Sequence, residues 1–289
     1  MKVGFIGTGL MGLPMAQRLI EAELAVVVYN RTTEKLRGLR GAAMIASSPA
    51  EVLQVSDCVI LMLTDADAIA SVLLSESSRC HLQGKTIIQM GTIAPTESRH
   101  LGEQVFSFGG EYLEAPVLGS IPEAKSGNLI VMVGGTPEQC DRWRFLLQNF
   151  GPDPKLIGPV GTAAAAKLAL NQLIASLTTA FALSLGFVQQ QGVKVEDFMQ
   201  ILRHSALYAP TFDKKLQRML QRDYSNPNFP TKHLLKDTKL FLAEARSMGL
   251  NVSSLEGIRQ ILEIAVSRGL TDSDYSALFD AVNPPHPPQ

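Results

Sequence analysis

The stretch KVGFIGTGLMGLPMAQRLIEA (residues 2–22) decides the fold of the first half of the chain. Its apolar start predicts a buried strand, and its amphipathic end predicts a helix. The spacing GTGLMG joins the two. In such a turn Gly7 permits the tight bend, Gly9 lets the backbone approach a pyrophosphate, and Gly12 permits close packing of the helix on the strand. Because the N–H groups of the helix then face the phosphates, the stretch predicts a dinucleotide site rather than a plain glycine-rich turn.

The same alternation of short apolar runs and helical patterns continues to about residue 160. It predicts helices at 48–56 and 137–150 and strands at 25–30, 57–63, 86–91, 111–117 and 129–135. Short buried strands separated by helices are typical of a parallel sheet. We therefore expect an α/β protein whose N-terminal Rossmann domain spans residues 1–160.

Beyond that point the pattern is wholly helical. Residues 162–192 form one apolar helical tract, and further helices are predicted at 195–205, 211–222, 231–248, 254–268 and 271–281. A helix that is apolar around most of its circumference is typically buried on several sides. We expect an all-α substrate and oligomerisation domain over residues 161–282, with the tract as one long interdomain helix. A disordered Pro-rich tail is expected at 283–289.

The end of the second predicted strand selects the dinucleotide. An NAD site usually carries a carboxylate there for the ribose 2′-hydroxyl, but residues 29–33 read YNRTT. Asn30, Arg31 and Thr32 instead offer donors and a cation, which suit a 2′-phosphate. A solvated arginine in a surface loop is the alternative. We expect NADP(H) as the preferred cofactor and NAD(H) as the second choice.

One lysine interrupts the apolar tract. In GTAAAAKLALNQ (161–172) Lys167 and Asn171 are four residues apart and share a helix face. In apolar surroundings a lysine has a lowered pKa, and beside a cleft it can protonate the alkoxide that hydride reduction of a carbonyl produces. Asn171 could orient the lysine and hold the substrate oxygen. A lysine that extends its ammonium to solvent fits the spacing equally well.

Four motifs in order resemble the β-hydroxyacid dehydrogenase family over about residues 1–282. They are GFIGTGLMGLPMA (4–16), EAPVLGSIPEAKSGNLIVMVGG (114–135), GPVGTAAAAKLALNQ (158–172) and FPTKHLLKD (229–237). The resemblance implies reversible hydride transfer between NAD(P) and a small hydroxy acid, with Lys167 as general acid/base and Asn171 beside it. The implied substrate contacts are Thr92, Gly119, Ser120, Phe229 and Asp237. The cofactor contacts expected from the strand ends and from the family are Gly7, Thr8, Gly9, Leu10, Met11, Gly12, Asn30, Arg31, Thr32, Leu63, Thr64, Thr92 and Lys236.

Three departures from the family pattern concern the substrate rather than the reaction. Leu118 stands where the substrate loop usually has a serine, Gly91 stands where a serine is common, and Ala163 replaces a glycine. The backbone N–H groups of Gly119 and Ser120 could still bind a substrate carboxylate.

Within the family, the second and fourth motifs are most similar to the glyoxylate/succinic-semialdehyde reductase branch, which favours NADPH. We therefore expect an NADPH-dependent reductase of small carboxylated aldehydes, namely succinic semialdehyde and glyoxylate. A 3-hydroxyisobutyrate dehydrogenase that works oxidatively is the alternative within the enzyme class, and an imine-reducing relative is a third. From another class comes a non-catalytic NADP-binding protein, because a fold does not guarantee a function.

Composition excludes several partners. Lysine and arginine number 26 and aspartate and glutamate 27, so the net charge of −1 gives no reason to expect nucleic acid. No uninterrupted apolar run reaches the roughly 18 residues of a membrane span. Three distant cysteines and scattered histidines indicate neither disulfides nor a metal site, and favour a cytoplasmic protein. A small-molecule substrate is the expected partner. Residues 162–191 are apolar enough to serve in part as a subunit interface, and the family resemblance implies a homodimer or homotetramer.

Overall fold

The structure is a computed structural model that describes residues 1–285. The chain divides into two compact units, Met1–Leu168 and Ala169–Gln289, and the division falls inside its longest helix. The predicted domain boundary at residue 160 lies eight residues before this division, just ahead of the start of the same helix. That boundary stays a prediction.

The first unit is built on a nine-stranded sheet in the order β3-β2-β1-β4-β5-β6-β8-β7, with β9 paired to β8. The strands are β1 Lys2–Ile6, β2 Ala25–Tyr29, β3 Met44–Ile45, β4 Cys58–Leu61, β5 Thr86–Gln89, β6 Glu111–Glu114, β7 Val117–Leu118, β8 Ile130–Gly134 and β9 Lys155–Gly158. Strands β1 to β6 pair with one another in parallel, as the alternation of apolar strands and helices predicts.

The far side of the sheet is mixed. Strand β8 runs antiparallel to both β6 and β7 and parallel to β9. The sheet is thus parallel over its first six strands, as expected, and mixed where β7, β8 and β9 join it. Strands β6 and β7 follow each other with two residues between them and run in the same direction, so β8 pairs antiparallel with both.

Helices cover both faces of the sheet. They are α1 Gly12–Glu21, α2 Pro49–Val55, α3 Ala66–Leu73, α4 Glu76–Arg79, α5 Pro95–Ser107, α6 Ile121–Ser126 and α7 Pro137–Leu147, with a 3-10 helix at Thr33–Leu39. Helix α2 begins as its sequence predicts, because the Ser48 hydroxyl accepts a hydrogen bond from the Glu51 N–H at 3.2 Å. Two hydrophobic clusters, one on each face, contain the buried apolar side chains of the central strands β1, β2, β4 and β5.

Helix α8, Thr162–Gln190, begins in the first unit and ends in the second. The remaining helices are α9 Val195–Arg203, α10 Pro210–Gln221, α11 Thr231–Ser247, α12 Ser253–Ser267 and α13 Leu278–Val282. Of the helices described, α8 is the one that is long and apolar enough to cross a membrane by length and composition. Its mean hydropathy is 1.5 over a window of which 44% is buried inside the protein, and a core helix of a soluble protein meets the same criterion.

The last predicted helix begins later than its pattern indicates. A 3-10 turn at Tyr275–Ala277 precedes α13, so the predicted start at residue 271 is wrong. The cause is the buried Asp274 carboxylate, which accepts hydrogen bonds from the N–H and the hydroxyl of Ser276 and so caps the chain there.

The predicted disordered tail is wrong at its first residue. Asn283 accepts a hydrogen bond from the Gln190 amide at 3.0 Å through its side chain, and one from Arg222 at 2.9 Å through its carbonyl. Residues 286–289 lie outside the described residues.

Candidate active site

Four segments that carry expected cofactor contacts lie along one edge of the first unit's sheet. They directly follow β1, β2, β4 and β5, which are adjacent and parallel, so their carboxyl ends meet at the same edge. The chain order reverses at β1, with β2 on one side and β4 on the other. In open α/β sheets a ligand binds outside the carboxyl ends of the strands at such a reversal.

The glycines of the turn after β1 have three different surroundings. Gly7 has a φ of +101°, and its N–H donates to the Tyr29 carbonyl oxygen at 3.0 Å. A Cβ on Gly12 would collide with the Gly7 carbonyl oxygen, so this glycine is required for packing of α1. A Cβ on Gly9 would meet no atom of residues 1–285 within 4 Å. Gly9 is thus the position that the fold itself leaves open for a close ligand.

Asn30 supports the turn rather than standing free beside it. The Thr8 N–H donates to Asn30 Oδ1 at 3.0 Å, and Asn30 Nδ2 donates to the Thr32 carbonyl oxygen at 2.9 Å. The amide therefore ties the turn after β1 to the end of β2, where Arg31 and Thr32 are exposed.

Thr8 itself is buried, and within residues 1–285 its hydroxyl has no hydrogen-bond partner. A buried hydroxyl normally finds a partner, and this one lies in the turn whose backbone would face a pyrophosphate. The orphaned hydroxyl and the open space at Gly9 both fit a dinucleotide.

The other expected cofactor contacts lie at the same edge. Leu63 is half-buried and Thr64 exposed just beyond β4, and Thr92 is half-buried just beyond β5. Leu10 is exposed and Met11 precedes α1, in the glycine turn. The departure at Gly91 has a structural reason, because a Cβ there would lie 2.5 Å from the Leu63 carbonyl oxygen.

Lys167 and Asn171 lie one turn apart on α8, and both are buried, with 8% and 2% of their surface exposed. Burial of Lys167 makes the alternative of a lysine extended to solvent wrong.

In the second unit, Asn171 Nδ2 donates to Asp237 Oδ2 at 2.6 Å, and Lys236 Nζ lies 3.0 Å from Asp237 Oδ1. Three residues expected at the site are thus brought together. A carboxylate can only accept, so Asp237 fixes which way the Asn171 amide points.

Phe229, just before α11, belongs to an aromatic group. Its ring is 5.8 Å from the Tyr275 ring, edge to face, and 6.4 Å from the His233 ring, stacked. Burial, followed by the nearby Lys236 and Lys232 ammonium groups, lowers the pKa of His233 below its ordinary value.

A buried ion pair that the sequence did not reveal packs against the Tyr275 ring of this aromatic group. Lys215 Nζ bonds both oxygens of Asp274 at 2.8 and 2.9 Å and lies 4.2 Å from the centre of the Tyr275 ring. The only signal in the sequence is a lysine on the apolar face of α10, whose partner lies 59 residues away.

The substrate loop differs from expectation at Ser120. Its N–H and its hydroxyl both donate to Glu123 Oε2, at 2.8 and 2.5 Å, so a carboxylate of the chain already accepts from one of the two backbone N–H groups predicted to bind substrate. Gly119, at a φ of +139°, is exposed, and Leu118 is half-buried in β7.

Sequence reasoning missed Glu114, which is fully buried at the carboxyl end of β6. Its oxygens accept four hydrogen bonds, three of them from the backbone at the start of α8. An acidic residue inside a predicted buried strand is the signal that could have drawn attention to it.

The first unit has a dinucleotide-binding edge on a doubly wound sheet, and the helical second unit brings together Lys236, Asn171 and Asp237. These features define the class of nicotinamide-dependent oxidoreductases with an added α-domain. Residues 2–161 match the family model described as the NAD binding domain of 6-phosphogluconate dehydrogenase. Residues 161–282 match the NAD-binding model of NADP-dependent 3-hydroxyisobutyrate dehydrogenase.

Glyoxylate/succinic semialdehyde reductase 2 of Arabidopsis thaliana is 32% identical over 284 residues, which are 97% of this chain and 79% of that protein. The 2-hydroxy-3-oxopropionate reductase of Escherichia coli is 31% identical over 287 residues, 98% of this chain and 97% of the relative. The 3-hydroxyisobutyrate dehydrogenase of Mycobacterium tuberculosis shares the fold, with a TM-score of 0.87 and 22% identity over 97% of this chain and 98% of that one.

The chain belongs to the β-hydroxyacid dehydrogenase family. It is an NAD(P)-dependent oxidoreductase that acts on CH–OH groups.

Proposed function

We propose that this protein is an NADPH-dependent reductase that converts small carboxylated aldehydes, such as succinic semialdehyde and glyoxylate, into hydroxy acids. The burial of Lys167 on α8, one turn before Asn171, carries the proposal, because reduction of an aldehyde requires a proton donor beside the carbonyl oxygen. The names of the relatives at 31% and 32% identity support the choice of substrate.

Three buried polar residues, Lys167, Asn171 and Asp237, have roles in this reaction. The turn after β1 and the segments after β2, β4 and β5 would hold a dinucleotide, which when bound would supply the hydride. The Lys167 ammonium donates a proton to the carbonyl oxygen and stabilises the charge that develops on it. Asp237 holds the Asn171 amide with Nδ2 toward itself, so that the amide oxygen faces the opposite side as an acceptor.

The preference for NADPH rests on the end of β2. Arg31 is exposed immediately after the strand, and no carboxylate occurs in residues 29–33. A guanidinium forms strong charge-assisted hydrogen bonds to a phosphate, whereas NADH offers only a ribose hydroxyl at this place.

Oxidation of a β-hydroxy acid is the second candidate. The model that matches residues 161–282 is that of NADP-dependent 3-hydroxyisobutyrate dehydrogenase. The same lysine would then accept a proton as general base.

We further propose a cytoplasmic homodimer or homotetramer. Large apolar side chains are exposed on α8 and α9 and just beyond, at Leu183, Phe187, Ile201 and Leu207. A second copy would remove them from water, since apolar burial drives most protein association. A monomeric mass in light scattering at micromolar concentration would contradict this assembly.

The test is a substrate panel. Glyoxylate, succinic semialdehyde and methylmalonate semialdehyde would each be mixed with NADPH and with NADH, and loss of the reduced nicotinamide followed by absorbance. We expect turnover of glyoxylate or succinic semialdehyde and a higher kcat/KM with NADPH. 3-Hydroxyisobutyrate is tested separately with NADP⁺ and NAD⁺; its oxidation, with turnover of methylmalonate semialdehyde but of neither other aldehyde, would favour the second candidate. Tight NADPH binding without turnover of any compound would indicate a non-catalytic nucleotide-binding protein.

A further inference from the structure

Glu114 joins the sheet to the start of α8 through one oxygen atom. Its Oε1 accepts hydrogen bonds from the backbone N–H groups of Gly161, Ala163 and Ala164, at 2.8, 2.8 and 3.1 Å. These donors lie 47 to 50 residues further along the chain, in the same compact unit.

The second oxygen is anchored as well. Glu114 Oε2 accepts a hydrogen bond from the Ser98 hydroxyl at 2.5 Å, and Ser98 Oγ lies 3.0 Å from the Tyr112 hydroxyl. Ser98 comes from α5, so the carboxylate links three elements: α5, β6 and α8.

The start of α8 requires such an acceptor. The first N–H groups of a helix have no partner within the helix, and a serine, threonine, asparagine or aspartate just before it normally accepts from them. Here the preceding residue is Gly161, which has no side chain to do so. A local cap would stabilise the helix alone, whereas Glu114 also fixes the helix to the end of β6.

We propose that Glu114 is a positioning residue, whose Oε1 fixes the first turn of α8 against the sheet and thereby sets the place of Lys167. This inference rests on the proposed function of Lys167 as the proton donor. Lys167 is three residues beyond Ala164, about 4.5 Å along the helix axis, so a shift of the first turn moves the lysine with it. A misplacement of about 1 Å in a reacting group lowers a rate by roughly 10²-fold.

The acceptor oxygen matters here, rather than the charge. Glutamine keeps an oxygen for the three N–H groups, and its NH₂ can donate to the Ser98 hydroxyl. Aspartate keeps the carboxylate but withdraws it by one methylene. Alanine removes the acceptor altogether.

The experiment compares Glu114→Gln, Glu114→Asp and Glu114→Ala in the full-length protein, with Lys167→Ala beside them. Unfolding temperature, the NADPH dissociation constant, kcat and KM are measured for each variant well below its unfolding temperature. We expect Glu114→Gln to keep kcat within about threefold, and Glu114→Asp and Glu114→Ala to lose about 10- to 100-fold in kcat. NADPH affinity should stay within about twofold, because the glycine turn is untouched.

A merely structural role would lower the unfolding temperature without this split between kcat and cofactor affinity. The proposal is overturned if folded Glu114→Asp or Glu114→Ala keeps the wild-type kcat, or if Glu114→Gln loses as much as Glu114→Ala. If Glu114→Ala does not fold, the comparison of the aspartate and glutamine variants decides. Wild-type turnover by Lys167→Ala would refute the proposed function itself. Loss of turnover there, with full kcat in Glu114→Asp, would refute only the positioning role.

Discussion

Gly9→Ala should separate cofactor binding from folding. A Cβ at this position would meet no described atom within 4 Å, and its φ lies outside the left-handed region, so the folded chain accepts alanine without strain. Replacing a glycine by alanine at a compatible position stabilises a protein by about 0.4–1 kcal/mol, because the unfolded chain loses freedom. A methyl group placed between the turn and a close-packed pyrophosphate costs about 1–3 kcal/mol. The NADPH dissociation constant should therefore rise by roughly 5- to 150-fold.

The assay combines urea unfolding without cofactor and titration with NADPH, followed by nicotinamide fluorescence. Gly12→Ala is the matched control, because its Cβ would collide with the Gly7 carbonyl oxygen and should cost stability before any ligand is added. A Gly9→Ala protein that is destabilised by more than about 1 kcal/mol and yet binds NADPH normally would refute the assignment of this turn.

Three further perturbations test other parts of the account. Arg31→Ala should weaken NADPH binding about 10-fold or more and leave the affinity for NADH unchanged, as separate titrations would measure. Equal losses of affinity for the two cofactors would contradict the 2′-phosphate contact. Lys215→Met leaves the buried Asp274 carboxylate without its cation, so the free energy of unfolding measured in urea should fall by about 3–5 kcal/mol. A fall of less than about 1 kcal/mol would count against the buried pair. Burial raises the pKa of Glu114 in the folded protein. Protonation of Glu114 therefore stabilises the fold to its full extent only below the ordinary glutamate pKa range, and this stabilisation is lost as the pH rises through the folded pKa. Glutamine does not titrate, so the unfolding temperature of Glu114→Gln relative to the wild type should increase from about pH 4 to about pH 8, and a constant difference would contradict the direction of that shift.

Features with a local physical cause were predictable from the sequence. Strands β1, β2, β4 and β5 are buried on both faces, so each reads as a continuous apolar run between helical patterns. The length of α8 followed from its apolar periodicity, and the glycine turn followed from its spacing.

Features that depend on distant partners were not predictable. Strand β9 carries exposed side chains at Lys155 and Ile157, and pairing with β8 rather than apolarity makes it a strand. Glu114 finds its donors about 50 residues away, and Asp274 pairs with Lys215, which lies 59 residues earlier in the chain. The bond between Ser120 and Glu123 is different, because the pattern Ser-x-x-Glu with a proline after the serine is a local signature of a helix start that was overlooked.

The most direct test of the central claim is single-turnover oxidation of bound NADPH by the responsive aldehyde, in wild type and in Lys167→Ala and Lys167→Arg. If the buried lysine is the proton donor, the alanine variant should lose about 10²–10⁴-fold in the rate of the chemical step while NADPH still binds. The arginine variant should also be impaired, because a guanidinium keeps its proton throughout the working range of pH. A wild-type rate in Lys167→Ala would contradict the account.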